Sequence, residues 1–264
     1  MNHETTPLKR SFAIQVRVTG ALIMREIITR YGRHNIGFLW LFLEPMLFTV
    51  GITTLWTLLK ATHGTSLPIT AFAVTGYSSI LLWRNCSNRA IKAIESNHSL
   101  LYHRNVRVPD VLVARLALEI AGATVSLVFL TIIFSAMNWM HLPSDILTAM
   151  FGWLLLAWFA CALSFIVGAA SERSELIERV WHILTYLLFP LSGAGFLVDW
   201  LPKFAHEYIL WVPMVHGTEM IRHGYFGDSV KTYEDPIYFI LFNSVLTLIG
   251  LALIRETGRR VEPE

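Results

Sequence analysis

ILTAMFGWLLLAWFACALSFIVGAA, residues 146–170, carries no Asp, Glu, Lys or Arg. A helix that crosses the hydrocarbon core of a bilayer needs about 20 mostly apolar residues, because each residue rises about 1.5 Å through a layer about 30 Å thick. This run meets that requirement without interruption, so it reads as a membrane-spanning helix. Outward from it, five further stretches are long and apolar enough: 36–59, 67–83, 111–137, 178–198 and 236–254. Strands are excluded by run length, since a membrane barrel alternates in segments of about ten residues. The expected fold is an all-α membrane protein with six transmembrane helices.

Composition agrees. Of 264 residues, 54% are hydrophobic and 15% charged, and the mean hydropathy is +0.52, which is more apolar surface than a soluble domain of this length buries. A net charge of +2, with basic residues in short blocks rather than along one face, argues against nucleic-acid binding. Cys86 and Cys161 stand far apart, one in a charged loop and one in an apolar run, and read as free thiols. The opening MNHETTPLKR is polar, with no apolar core of signal-peptide length near it, so no cleaved leader is expected.

The 21 lysines and arginines orient the spans. With a cytoplasmic amino terminus, only Lys60, Lys203, Arg222 and Lys231 fall outside. This asymmetry follows the positive-inside rule and places both termini in the cytoplasm.

Residues 11–33 carry Phe12, Val16, Ile23 and Ile27 on one helical stripe, as expected of an amphipathic helix lying on the membrane surface. Arg30 falls close to that stripe, so an ordinary solvated helix leading into the first span is the alternative. The loop 84–110, RNCSNRAIKAIESNHSLLYHRNVRVPD, mixes a helical core at 90–95 with polar ends and a stop at Pro109. It reads either as a docking element for a soluble partner or as a charged connector. Between 190 and 235, Pro190, Gly193, Gly195, Pro202 and Pro213 punctuate aromatic stretches. A re-entrant pair of short broken helices before the last span is expected there, since non-helical backbone at membrane depth needs protein or water to satisfy it. A plain outer loop anchored by Trp200 and Trp211 is the alternative.

No phosphate-loop, dinucleotide or metalloprotease motif is present, and His98, His103, His216 and His223 lack ligand spacing. The chain is therefore not expected to be an enzyme by itself, nor to bind a metal. LSGAG at 191–195 resembles an ATPase signature only superficially and reads as a helix break. Intramembrane charge, the usual mark of an ion-coupled path, is limited to Glu44 before Pro45 and to Arg115 and Glu119, one turn apart and able to pair. That scarcity argues against a proton-coupled secondary transporter, though it leaves that class open, and points to an energy source outside the chain.

TRYGRHNIGFLWLFLEPM at 29–46 resembles the ABC-2 family of ABC-transporter permeases, in which an interfacial helix meets the first span. LLYHRNVRVPD at 100–110 and WVPMVHGTEMIRHGYFG at 211–227 are similar to the capsular polysaccharide export permeases of Gram-negative bacteria. The resemblance covers nearly the whole chain. It implies an amino-terminal segment 1–35 with the interfacial helix, an ABC-2 type transmembrane domain 36–254 and a cytoplasmic tail 255–264. It implies a homodimer in the inner membrane with two copies of a separate ABC ATPase subunit, which holds the ATP and Mg. It further implies a periplasmic polysaccharide co-polymerase adaptor, an outer-membrane channel and an anionic lipid-linked polysaccharide as substrate. Export of O-antigen, a teichoic acid precursor, a lipid or a drug remains the alternative within the family.

Aromatic rings stack on sugars and cations accompany their carboxylates. Arg30, Tyr31, Arg33, His34, Trp40, Tyr77, Trp83 and Arg84 cluster near expected cytoplasmic ends and are candidates for the substrate path; interfacial anchoring explains the same residues equally simply. For coupling to the ATPase, the candidates are Ala90, Ile91, Ile94, Glu95 and Asn97, with the two isoleucines as apolar anchors.

Overall fold

The computed structural model describes residues 8–31, 36–59, 67–102 and 106–261. Among these the chain is all helical: α1 (Leu8–Tyr31), α2 (Ile36–Leu58), α3 (Ile69–Ala90), α4 (His98–Leu101), α5 (Val108–Ala136), α6 (Ile146–Ser171), α7 (Glu175–Leu191), α8 (Lys203–Ile209), α9 (Pro213–Phe226) and α10 (Pro236–Val261). Three of them, α5, α6 and α10, are long and apolar enough to cross a membrane.

Helix α6 is the hub, packed against α3, α9 and α10. Small residues allow this: Gly152, Ala157, Ala160, Ala162 and Gly168 are buried along it, and without bulky side chains the backbones approach closely. Asn243 of α10 donates to the Leu155 carbonyl at 3.0 Å, and Trp153 and Trp158 donate to Thr124 and Thr247 at 2.9 Å. Asp145 starts α6 by accepting from the backbone N–H groups of Leu147 and Thr148. Hydrogen bonding to Thr148, first through its hydroxyl, holds the Asp145 carboxyl below its ordinary value.

Helix boundaries depart from the expected spans where hydropathy is blind. Helix α3 continues past 83 to Ala90, because its polar last turns pack on neighbouring helices. Pro109 begins α5 instead of stopping a helix; in the first turn its missing N–H costs nothing. The helical core expected at 90–95 is interrupted, with Lys92 at φ 53° and a 3-10 turn at Glu95–Asn97. Helix α7 ends at Leu191 rather than 198.

Helix α1 packs on α5 and α2. Its buried members include Leu22 and Glu26, while Phe12 and Val16 are exposed, so the apolar stripe read from the sequence is only partly the face that packs.

Candidate functional site

Helices α2, α3 and α7 share a face that carries a series of rings. Phe48 lies 6.0 Å from Tyr77, which lies 5.5 Å from Trp56 and 5.8 Å from Phe189. Trp56 stacks on Phe72, and Phe72 on Trp200 at 4.9 Å. At one end of the series the Arg84 guanidinium lies 5.3 Å from the Tyr186 ring. Beside it opens a cavity of about 420 Å³, lined in part by Glu44, Arg84, Asn85, Asn88, Arg89 and His182. Pro45 sits inside α2 at this level, where it removes a backbone donor from the helix interior.

Arg89 takes both acids that face it, Glu44 at 3.7 Å and Glu119 at 3.5 Å. Arg115 meets Glu26 of α1 at 2.9 Å and donates to the Ser96 hydroxyl at 2.9 Å and the Arg89 carbonyl at 3.2 Å. Where the sequence suggested a one-turn pairing of Arg115 with Glu119, the structure gives Arg115 longer-range partners that tie α1, α3, α5 and the 95–97 turn together, and gives Glu119 the Arg89 guanidinium. Arg25 adds a bond to Asn97 at 2.5 Å. Lys92 reaches Glu178 at 3.0 Å and His98 reaches Glu172 at 2.8 Å, so α7 and the end of α6 join the same cluster. The Glu178 carboxylate bonded to Lys92 holds its ammonium above the usual lysine range.

At the opposite end of α3, the chain leaves α7 at Leu191 and turns through Gly193 at φ +78°, a conformation that suits glycine. The freed carbonyls need donors. Arg222 of α9, fully buried, supplies them: Nη1 donates to Gly193 and Phe196 and Nη2 to Ala194, each at 2.5 Å. Its guanidinium lies 3.8 Å from the Phe72 ring. A Cβ on Gly76 of α3 would overlap the Ala194 carbonyl oxygen and lie 2.6 Å from Nη2 of Arg222, so the break is seated against α3 through that glycine. His216 ties α9 to α10, accepting from the Asp235 N–H at 2.9 Å and bonding the Leu210 carbonyl at 2.8 Å; this geometry places the proton on Nε2.

Of the residues predicted for a substrate path, Tyr77 and Arg84 come together on this face. Trp83 does not: at 1% exposure it is packed inside the core, one residue round α3 from Arg84. Trp40 is exposed on α2. The side chains of Arg30 and Tyr31, and all of Arg33 and His34, lie outside the described residues. The coupling candidates need revision. Ala90 and Ile94 are buried among Leu22, Leu112 and Ala169, and Ile91 packs with Val167 and Trp181; at 8% and 1% exposure, Ile91 and Ile94 are core residues of this chain. Asn97 is also buried, which leaves Lys92, Glu95 and Ser96 on the surface there. Sequence reading missed Arg89, His182 and Arg222. Arg222 was counted only as an outside charge, although a proline and glycine break with orphaned carbonyls is itself a signal that a donor must be nearby.

The family model described as ABC-2 type transporter matches residues 17–226. The chain belongs to the ABC-2 type transporter family. Its curated relatives include the capsule polysaccharide export inner-membrane protein CtrC of Neisseria meningitidis, 50% identical over 98% of both chains. Another is the capsule polysaccharide export inner-membrane protein BexB of Haemophilus influenzae, 45% identical over 99% of this chain and 98% of that one. The polysialic acid transport protein KpsM of Escherichia coli is 29% identical over 94% of this chain and 96% of its own length. The ABC-2 match covers α2, α3, α7, α9 and most of α1, so every element of the ring-lined face and of the Arg222 staple falls within it.

Proposed function

We propose that this chain is the membrane-spanning subunit of an ATP-driven exporter of capsule polysaccharide in a bacterial inner membrane. The observation that carries the proposal is near-full-length identity of 45–50% to proteins named for capsule polysaccharide export in two genera. The ring series from Phe48 and Phe189 through Tyr77 and Trp56 to Trp200 supports it, since aromatic faces suit pyranose rings and need no fixed charge.

In this reading the chain crosses the membrane six times, through α2, α3, α5, α6, α7 and α10, with α8 and α9 as the broken segment before the last span. Both termini are cytoplasmic. In support, the start of α5, the end of α6 and the end of α10 pack together through Leu112, Ala169 and Ile254, and Arg173, just past α6, meets Glu256 of α10 at 3.0 Å. The homodimer forms along α2 and α7: Leu43, Leu47, Leu55, Ile183, Leu187 and Leu191 are exposed apolar residues of these helices, and α7 buries only Trp181 and Thr185 within the chain. Two copies enclose a path that a single bundle cannot.

Hydrolysis belongs to two copies of a separate ATPase subunit that bind ATP and Mg. The surface offered to it includes Lys92, Glu95 and Ser96, and the buried Ile94 and Asn97 anchor that turn to α1 and α5. A periplasmic co-polymerase adaptor and an outer-membrane channel complete the assembly. The test is transport in inverted membrane vesicles containing the chain with its co-expressed ATPase. Uptake of capsule polysaccharide that requires ATP and survives collapse of the proton gradient is expected; uptake driven by the gradient alone overturns the reading in favour of secondary transport.

A further inference from the structure

We propose that the cavity between α2, α3 and α7 is a binding site for a single oxyanion, a phosphodiester or carboxylate, with Arg84 as its principal ligand. The proposal rests on the export reading and names the part of the substrate that the path engages first.

Three observations point to this. The cavity is large enough, at about 420 Å³, for a phosphate or carboxylate with part of the group that carries it. Its donors converge from separate helices: Arg84, Asn85, Asn88 and Arg89 from α3, and His182 from α7. The amide oxygen of Asn88 already accepts from the Trp181 indole at 3.1 Å, which fixes the side chain with its NH2 group available to donate. The third observation is the state of the charges. Both acids nearby, Glu44 and Glu119, face Arg89. Arg84 has no ion-pair partner among the described residues, and its Nε is buried with no hydrogen-bond partner.

A guanidinium in that position is costly. The side chain is half-buried, its buried Nε–H lacks an acceptor, and the Tyr186 ring at 5.3 Å meets the face of the guanidinium rather than its N–H groups. An arriving oxyanion supplies the missing partner, and Arg84 can meet two of its oxygens at once in a forked geometry. Glu44, on the opposite wall, disfavours a second anion. The site therefore suits one charge with an apolar or sugar-like continuation toward Phe48 and Tyr77, rather than a dense polyanion. Arg25 and Arg115 line an adjoining polar cavity of about 300 Å³ that shares Asn88 and Arg89 with this one and also holds Glu26; Arg115 is engaged by that glutamate and Arg25 by Asn97, so the same reasoning does not extend to them.

Two sources present this chemistry: the phosphodiester of a lipid terminus, and a carboxylate within the glycan. The chain, purified with its ATPase in phosphatidylcholine nanodiscs, is to be examined by native mass spectrometry with two probes, dioleoylphosphatidylglycerol and a soluble sialic acid hexamer. Retention of either probe should fall about tenfold in Arg84→Gln and be partly restored in Arg84→Lys. His182→Ala should give a smaller loss. Loss of the lipid assigns the site to a lipid phosphate, and loss of the hexamer to a sugar carboxylate. Binding of neither probe, or equal binding by Arg84→Gln in protein that melts at the parental temperature, overturns the proposal. Cell-surface polysaccharide measured on the same variants separates the two claims. Unchanged export in a variant that binds no probe removes the site but not the export reading, whereas normal export in cells lacking the chain removes that reading itself.

Discussion

Replacing Arg222 with methionine nearly keeps the length of the side chain and removes the guanidinium donors that hold the break between α7 and α8, leaving the Thr218 bond to the Ser192 carbonyl in place. Three carbonyls, those of Gly193, Ala194 and Phe196, lose bonds of 2.5 Å to a guanidinium that is itself fully buried. A hydrogen bond to a charged group contributes about 1.5–3 kcal/mol, and the contact with Phe72 adds about 0.5–2 kcal/mol. Against this stands relief of the guanidinium's desolvation, several kcal/mol. Removing one side of a buried charged cluster nevertheless costs about 3–5 kcal/mol on balance, because the abandoned carbonyls stay buried. For a chain of this size that corresponds to a fall in Tm of about 10 °C. Arg222→Lys keeps the charge but cannot reach three oxygens in one plane, so it should melt between the two. Thermal unfolding of the purified chain in detergent, followed by tryptophan fluorescence, measures all three. Melting of Arg222→Met within about 2 °C of the parent would refute the staple.

Gly76→Ala should destabilise by about 1–3 kcal/mol, since its new methyl meets the Ala194 carbonyl and Arg222; the same melts test it, and an unchanged Tm contradicts the close approach. Arg115→Gln should cost about 2 kcal/mol, and the double variant with Glu26→Gln should cost less than the sum of the two singles, the signature of a coupled pair; strict additivity argues against it. Asp145, whose folded value is depressed, contributes stability that is fully present above its ordinary value of 3.8 and is lost as pH falls through the lower folded value. The Tm gap between the parent and Asp145→Ala should therefore be widest near neutral pH and close in acid, and a gap that grows on acidification has the wrong sign.

The long apolar helices were legible because lipid imposes one simple demand, and 146–170 meets it almost to the residue as Ile146–Ser171. Polar helix ends were not. Helix α3 runs on through Asn88 and Arg89, whose partners Trp181, Glu44 and Glu119 lie on other helices and leave no mark in local hydropathy. The end of α7 was misplaced for the converse reason: FLV at 196–198 continues the apolar run beyond a break that Arg222 satisfies from 26 to 29 residues away. Ile91 and Ile94 looked like anchors for a partner because a short amphipathic stretch cannot say which body its apolar face meets. Here it meets this chain's own α1, α5 and α6. Tyr77 and Arg84 were picked from the sequence by residue type and place, but Arg89 and His182 join them only through the packing of α3 on α2 and α7.

Export itself is tested most directly in cells that make the polysaccharide, by deleting the gene for this chain and quantifying the polymer on the surface and inside. Polymer that accumulates within the cell, with surface display restored by the intact chain but not by a copy lacking residues 192–235, is the predicted result. Surface polymer at the parental level in the deletion strain would contradict the account.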